Sequence, residues 1–154
     1  AYFEKIYTTI SPSGIQEITN AIPTRVTAEM NTELTKTFTS EEVTRALQQL
    51  HRTKALGPDG MSAIFFHKYW SFMGSNVTTM VLDVINLNMS IAELNKTNIS
   101  LIPKSNNPTR MIKFRPISLS NVEYKLISKV LANRLKVSSL MLSRRTKVPL
   151  PQKG

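Results

Sequence analysis

The chain has 154 residues, 41% of them hydrophobic, and a formal net charge of +10 from 20 basic and 10 acidic side chains. That length gives one domain or a piece of one, and the apolar content is far above that of a disordered chain. The absence of cysteine excludes disulfides, thiolate chemistry and cysteine-bound zinc, and no run of eighteen apolar residues is present to form a membrane-spanning helix.

The opening "AYFEKIYTTI" has no basic stretch followed by an apolar core, so it does not read as a secretory signal. It also lacks an initiator Met, as expected of a chain drawn from a longer reading frame. In "SPSGIQEITNAI", Ile15, Ile18 and Ile22 recur at helical spacing and predict a short helix that Pro23 interrupts. Thr39 and Glu42 have capping-box spacing, and Val43, Ala46, Leu47 and Leu50 then fall on one helical face. Gly57, Pro58, Asp59 and Gly60 follow as a turn. Ser62 can cap the next helix, "AIFFHKYWSFM", whose dense apolar content predicts burial, with His67 as a packed or surface side chain. Gly74 is expected to break that helix before "NVTTMVLDVINLNMS" resumes with Val77, Val81, Leu82 and Ile85 on one stripe. Asn-x-Ser/Thr triplets at Asn76, Asn88, Asn95 and Asn98 read as chance without a secretion signal.

The character changes at residue 96. Ile99 and Leu101 alternate with polar residues, as in a half-buried strand, and a polar loop over 104–113 leads into a second strand, "FRPISL". Pro116 favours an edge position there. The pair predicts a hairpin with a long tip, in which Lys104, Arg110, Lys113 and Arg115 are accompanied by no acidic residue. Ser120 and Glu123 suggest a second capping box, opening a helix with Val122, Ile127, Val130, Leu131 and Leu135 on its apolar face and Lys125, Lys129, Arg134 and Lys136 around the rest. From Val137 the pattern fades, and an unstructured extension is expected.

Residues 1–95 hold 7 basic and 9 acidic side chains, whereas residues 96–154 hold 13 basic and 1 acidic. That asymmetry points to a polyanion partner for the second half, against the plainer alternative of a solvated basic face. Chemistry has less support. Asp59 and Asp83 are the only aspartates, no carboxylate pair has a metal-holding spacing, His51 and His67 lack companions, and there is no glycine-rich phosphate loop. The residues themselves therefore give a basic hairpin and helices without a complete catalytic apparatus.

Three stretches, "KALGPDGMSAIFFHKYW", the LIPK of "ISLIPKSNNPTRMIK" and "FRPISLSNVEYKLISKVLANRLK", occur in that order. Together they resemble the amino-terminal part of the reverse transcriptase domain of LINE-type (non-LTR) retrotransposons, those of plants above all, over about residues 1–136. The resemblance implies an α+β fold: a mostly helical fingers subdomain of a right-hand polymerase carrying a two-stranded β-hairpin. It divides the chain into a lead-in segment (1–38), a partial fingers subdomain (39–136) and an unrelated, disordered tail (137–154). It implies that Lys104 and Arg115 contact the nucleoside triphosphate, that Lys54, Arg110 and Lys113 contact nucleic acid, and that Gly57, Pro58, Asp59 and Gly60 form a structural turn. A Lys point charge and an Arg fork suit a triphosphate. The implied partners are an RNA template, a DNA primer, a deoxynucleoside triphosphate and the palm subdomain, with no membrane. Magnesium is expected for the full enzyme and no cofactor for this chain, whose polymerase activity is expected to be absent without the palm aspartates. "RTKVPLPQKG" can be back-translated so that another frame reads Asn-Gln-Ser-Ala-Phe, the family's next segment, so a frameshift near 135–137 is expected. A stand-alone basic nucleic-acid-binding module and a non-functional product of a decayed element are the alternatives. Without a palm, the aromatic helix over 63–73 is expected to be partly uncovered and solubility low. The sequence leaves the compartment open between nucleus and cytoplasm.

Overall fold

The computed structural model describes residues 2–8, 13–21 and 25–144. In chain order they form α1 (Tyr2–Tyr7), α2 (Ile15–Asn20), α3 (Ala28–Thr35), α4 (Ser40–Gln49), α5 (Ala63–Asn86), β1 (Asn98–Pro103), β2 (Phe114–Leu119) and α6 (Val122–Arg144), with a 3-10 turn at Met111–Lys113. The core lies where α4, α5 and α6 meet. Phe66, Leu126, Val43, Val81, Val122 and Val130 are its largest fully buried side chains. Each contributes roughly 1.5–3 kcal/mol by leaving water.

Helix α4 begins as its sequence predicts. Thr39 is the N-cap, the capping box with Glu42 is formed, and the Glu42 carboxylate accepts the Thr39 N–H at 3.0 Å. Val43, Ala46, Leu47 and Leu50 all turn inward. Ser62 caps α5, its hydroxyl accepting the Phe65 N–H.

Helix α5 differs from expectation at two points. It runs unbroken through Gly74, and its departure from helical geometry is at Tyr69 (φ −104°, ψ 17°). Gly74 is buried because the Trp70 indole lies across it; a Cβ there would sit 2.9 Å from two ring carbons. A glycine costs a helix only about 1 kcal/mol relative to alanine, and the burial of Val77 and Val81 on the same helix outweighs that. Nor is the aromatic segment buried throughout. Ala63 and Phe66 are, whereas Ile64, Phe65 and Tyr69 are exposed and Phe72 is 89% exposed. Phe72→Ser is accordingly expected to raise solubility while moving the unfolding free energy by no more than about 0.5 kcal/mol, as measured by precipitation and urea titration in parallel.

The hairpin forms at the expected place, with β1 and β2 antiparallel and Ile102 opposite Arg115. The half-buried alternation does not hold, because every residue of β1 is exposed, Ile99 by 65%. The cause is that neither strand packs extensively on a helix; the two strands pack on each other. Pro116 sits opposite Leu101. Lys104 N–H bonds the Lys113 carbonyl at 2.8 Å, and the antiparallel alternation counted from that pair puts Pro116 at a non-bonded pair. Its missing N–H therefore costs the ladder nothing.

Helix α6 also departs from expectation. Its N-terminal bond is Lys125 N–H to the Asn121 carbonyl, so Asn121, not Ser120, occupies the cap position. Leu126 is fully buried, while Leu131 and Leu135 are exposed. The inward stripe is Val122, Leu126, Val130, Arg134 and Ser138, in steps of four. The helix continues to Arg144, eight residues past Lys136, so residues 137–144 are not an unstructured extension. Leu140, Met141 and Leu142 are good helix formers, no Pro or Gly intervenes before Pro149, and extending an existing helix needs no new nucleus. The remainder of the expected tail, 145–154, lies outside the described residues, as do Ile22 and Pro23.

Arg134 is the most heavily bonded side chain of the fold. Its Nε donates to Glu42 Oε1 and an Nη to Glu42 Oε2, each at 2.8 Å. Its guanidinium also donates to the carbonyls of Leu34 (3.3 Å), Lys36 and Thr37 (2.8 Å), and its Cζ lies 3.4 Å from the centre of the Phe38 ring. One side chain thus satisfies the C-terminal carbonyls of α3 and anchors the N-terminus of α4.

Candidate nucleic-acid interface

Four basic side chains of the second half belong to the hairpin. Cross-strand pairing puts Ile102 and Arg115 on one face, and Lys104 and Lys113, one step further along, on the same face. Lys104 and Arg115 are thus diagonal neighbours, with Cβ atoms about 7–8 Å apart by sheet geometry. They line a common recess of about 200 Å3 together with Ile112, Phe114 and Pro116 of the hairpin and Tyr2, Phe3, Ile6 and Tyr7 of α1. Lys104 Nζ donates to the Ile112 carbonyl at 2.9 Å, which fixes the ammonium at the recess and leaves two N–H groups free. The Arg115 side chain makes no hydrogen bond or ion pair among the described residues. Its planar fork is free for an anion.

The other expected contact residues are dispersed. Arg110 and Lys113 flank the 3-10 turn at the hairpin tip, both exposed, with Lys113 N–H bonded to the Arg110 carbonyl at 2.9 Å. Lys54 is not part of the hairpin surface. It borders a small recess with Leu50, His51, Ala63, Val122 and Lys125, on the side where α6 begins.

The Gly57–Gly60 turn closes with Gly60 N–H on the Gly57 carbonyl at 3.1 Å. Asp59 Oδ1 accepts the Met61 N–H at 3.0 Å, and Asp59 N–H reaches Asn121 Oδ1 at 3.4 Å. Gly60 has φ +69°, which a glycine adopts without strain, and Pro58 supplies a fixed φ in mid-turn. Gly57 has a different constraint. A Cβ on it would lie 2.2 Å from Asn121 Oδ1, 2.5 Å from the Asn121 N and 2.6 Å from its Cα. The turn is therefore pressed against the start of α6, and Gly57→Ala is expected to cost about 1–3 kcal/mol, read as a lower urea midpoint at unchanged slope.

Around this junction lie Lys54, Asp59, Glu123 and Lys125. Lys125 Nζ donates to the Ala55 carbonyl at 2.7 Å, and burial pulls its ammonium below the usual lysine range. Glu123 Oε2 is buried and has no hydrogen-bond partner among the described residues. Burial, with a contribution from the Asp59 charge, pushes the Glu123 carboxyl up from its ordinary 4.5, while a backbone hydrogen bond works the other way. A raised carboxyl favours folding in its neutral form, so its contribution is complete below 4.5 and is lost as pH rises through the folded value. Glu123→Gln should thus be more stable than the parent at pH 7, with the gap closing below about pH 4.5 when both are melted across that range.

No protein-family model matches the chain. Over 128 residues, 82% of its length, it is 27% identical to a protein of Xenopus laevis described as "Transposon TX1 uncharacterized 149 kDa protein". The chain is related to a transposon protein. It spans about 10% of that relative's length.

Among the described residues no three His, Cys, Asp or Glu side chains gather at one place.

Sequence reasoning missed three contributors. The α1 aromatics carry no signal that would place them against a hairpin a hundred residues away. Asn86, which accepts the Phe38 N–H at 2.9 Å and donates to its carbonyl at 3.0 Å, has no local signature either. Arg134 did carry one, since it continues the four-residue steps of Leu126 and Val130 on the inward side of α6.

Proposed function

We propose that the chain is the nucleotide- and template-contacting fingers part of a LINE-type retrotransposon reverse transcriptase, an RNA-directed DNA polymerase. The observation that carries this reading is the pair Lys104 and Arg115, diagonal on one hairpin face and lining one recess, with the Arg fork free and the Lys head fixed. A nucleoside triphosphate presents several negative charges within reach of both. In phosphoryl transfer, cations so placed neutralise charge as it develops on the departing phosphates. The relationship to a transposon protein and the order of the GPDG, LIPK and FRPISL stretches support the same reading. Arg110 and Lys113 at the hairpin tip would follow the template backbone, and Lys54 would meet nucleic acid on the α6 side. In this reading the metal ligands belong to the palm subdomain, and these residues contribute binding rather than the metal-assisted step.

The test is equilibrium binding of a deoxynucleoside triphosphate to the purified chain at about 50 and 200 mM salt. Saturable binding that weakens as salt rises is expected; no saturable binding at the lower salt rejects the reading. Templated primer extension by the chain would separately refute its dependence on a palm.

A further inference from the structure

We propose that α1 supplies the base-stacking wall of the nucleotide site, so that the recess between α1 and the hairpin holds a nucleobase while Lys104 and Arg115 hold its phosphates. This rests on the reading of those two cations as triphosphate ligands and adds a role for α1, which otherwise has none. Tyr2, Phe3, Ile6 and Tyr7 line the recess from one side, with Lys104, Ile112, Phe114, Arg115 and Pro116 opposite. No residue of α1 is buried, and Tyr2 and Tyr7 are exposed. A six-residue helix does not persist on its own in water, so α1 depends on what it lies against.

Aromatic faces beside cations are the recurring composition of grooves for single-stranded nucleic acid, the rings stacking on the base and the cations taking the phosphate, and the same pairing suits a single nucleotide. Tyr and Phe accept any base, because every base has a π face. The size of the recess is selective. At about 200 Å3 it is below the roughly 300–1,000 Å3 of sites for drug-sized ligands, and it takes one base rather than two. With Lys104 and Arg115 read as triphosphate ligands, the ligand assigned is a single nucleobase with its attached phosphates, from an incoming nucleoside triphosphate.

The experiment compares dATP with inorganic tripolyphosphate on the full chain, so that base and phosphate contributions separate. The parent is expected to bind dATP about tenfold more tightly than tripolyphosphate. The triple variant Tyr2→Leu, Phe3→Leu, Tyr7→Leu should bring that ratio close to one with tripolyphosphate affinity unchanged. A triple variant that keeps the full ratio overturns the proposal. If tripolyphosphate binding survives Lys104→Ala with Arg115→Ala while the triple variant still loses dATP preference, the reading of the cations fails and the wall stands. A second readout is independent of affinity. Fluorescence of 2-aminopurine triphosphate should be quenched by the parent and not by the triple variant, and equal emission from both counts against stacking. Tighter binding of an oligoadenylate without a terminal triphosphate would overturn the assignment to an incoming nucleotide.

Discussion

Arg134→Ala is expected to destabilise the protein by about 3 kcal/mol, the low end of the cost of removing one partner from a buried charge pair, because this pair is only partly buried. The side chain is 13% exposed and Glu42 25%, so the Glu42 carboxylate left behind would be poorly solvated. The loss is not confined to the ion pair. The carbonyls of Leu34, Lys36 and Thr37 lose their donor together, and the Phe38 ring loses the cation stacked on it. Arg134→Lys should recover less than half, because an ammonium cannot span both carboxylate oxygens and three carbonyls. The same contact sets an acid dependence. The Arg134 hydrogen bonds hold the Glu42 carboxyl below its ordinary 4.5, against an opposing push from burial. A lowered carboxyl contributes stability that is present above 4.5 and lost as pH falls through the folded value. The gap between parent and variant in urea titrations should thus narrow as the solution is acidified below about pH 4.5, leaving the part owed to the carbonyls and Phe38; a gap unchanged throughout the acid limb would mean that the pair is not the source.

Lys104→Ala with Arg115→Ala should reduce triphosphate affinity at least about 100-fold. A hydrogen bond to a charged group is worth about 1.5–3 kcal/mol, or about tenfold or more for each cation removed. Both side chains are exposed and neither contributes to the core, so melting should be almost unchanged. Arg115→Lys separates charge from geometry. If the planar fork matters, the lysine variant keeps the salt dependence yet loses affinity; if only charge matters, it binds as the parent does. The control is Lys54→Ala, on the α6 side of the molecule, which should leave the triphosphate affinity unaltered. Equal losses from Lys54→Ala and the double variant would indicate diffuse attraction to the +10 chain rather than a site.

Local chemistry was legible in the sequence wherever a few neighbouring residues decide the outcome. The Thr39–Glu42 box, the Gly57–Gly60 turn, the Ser62 cap and the two strands all follow from short-range bonding rules. Failures occurred where a distant partner decides. Gly74 is the exception, because the Trp70 that lies over it is one turn away on the same helix. Ser120 and Glu123 have the spacing of a capping box, but the adjacent Asn121 carries the helix start and is pinned by the Gly57 turn. Alternation in β1 implies a covered face, and no helix covers it. For the candidate site, the two cations are paired from sequence only because the family resemblance implies it, and the register that sets them on one face comes from the structure. The aromatic side of their recess was not legible, because nothing in "YFEKIY" records what it lies against.

The exposed β-ribbon has a consequence for motion. Its twelve strand residues are tied chiefly to one another and have almost no apolar anchorage to the helical body. Opening it should therefore require far less free energy than melting the helices. Amide protons of residues 98–102, 114, 115 and 117–119 should exchange with deuterium in a fast regime insensitive to Arg134→Ala, while those of α4 and the first half of α6 slow and quicken with the whole. A flap that yields separately can close on a ligand without disturbing the body that carries it.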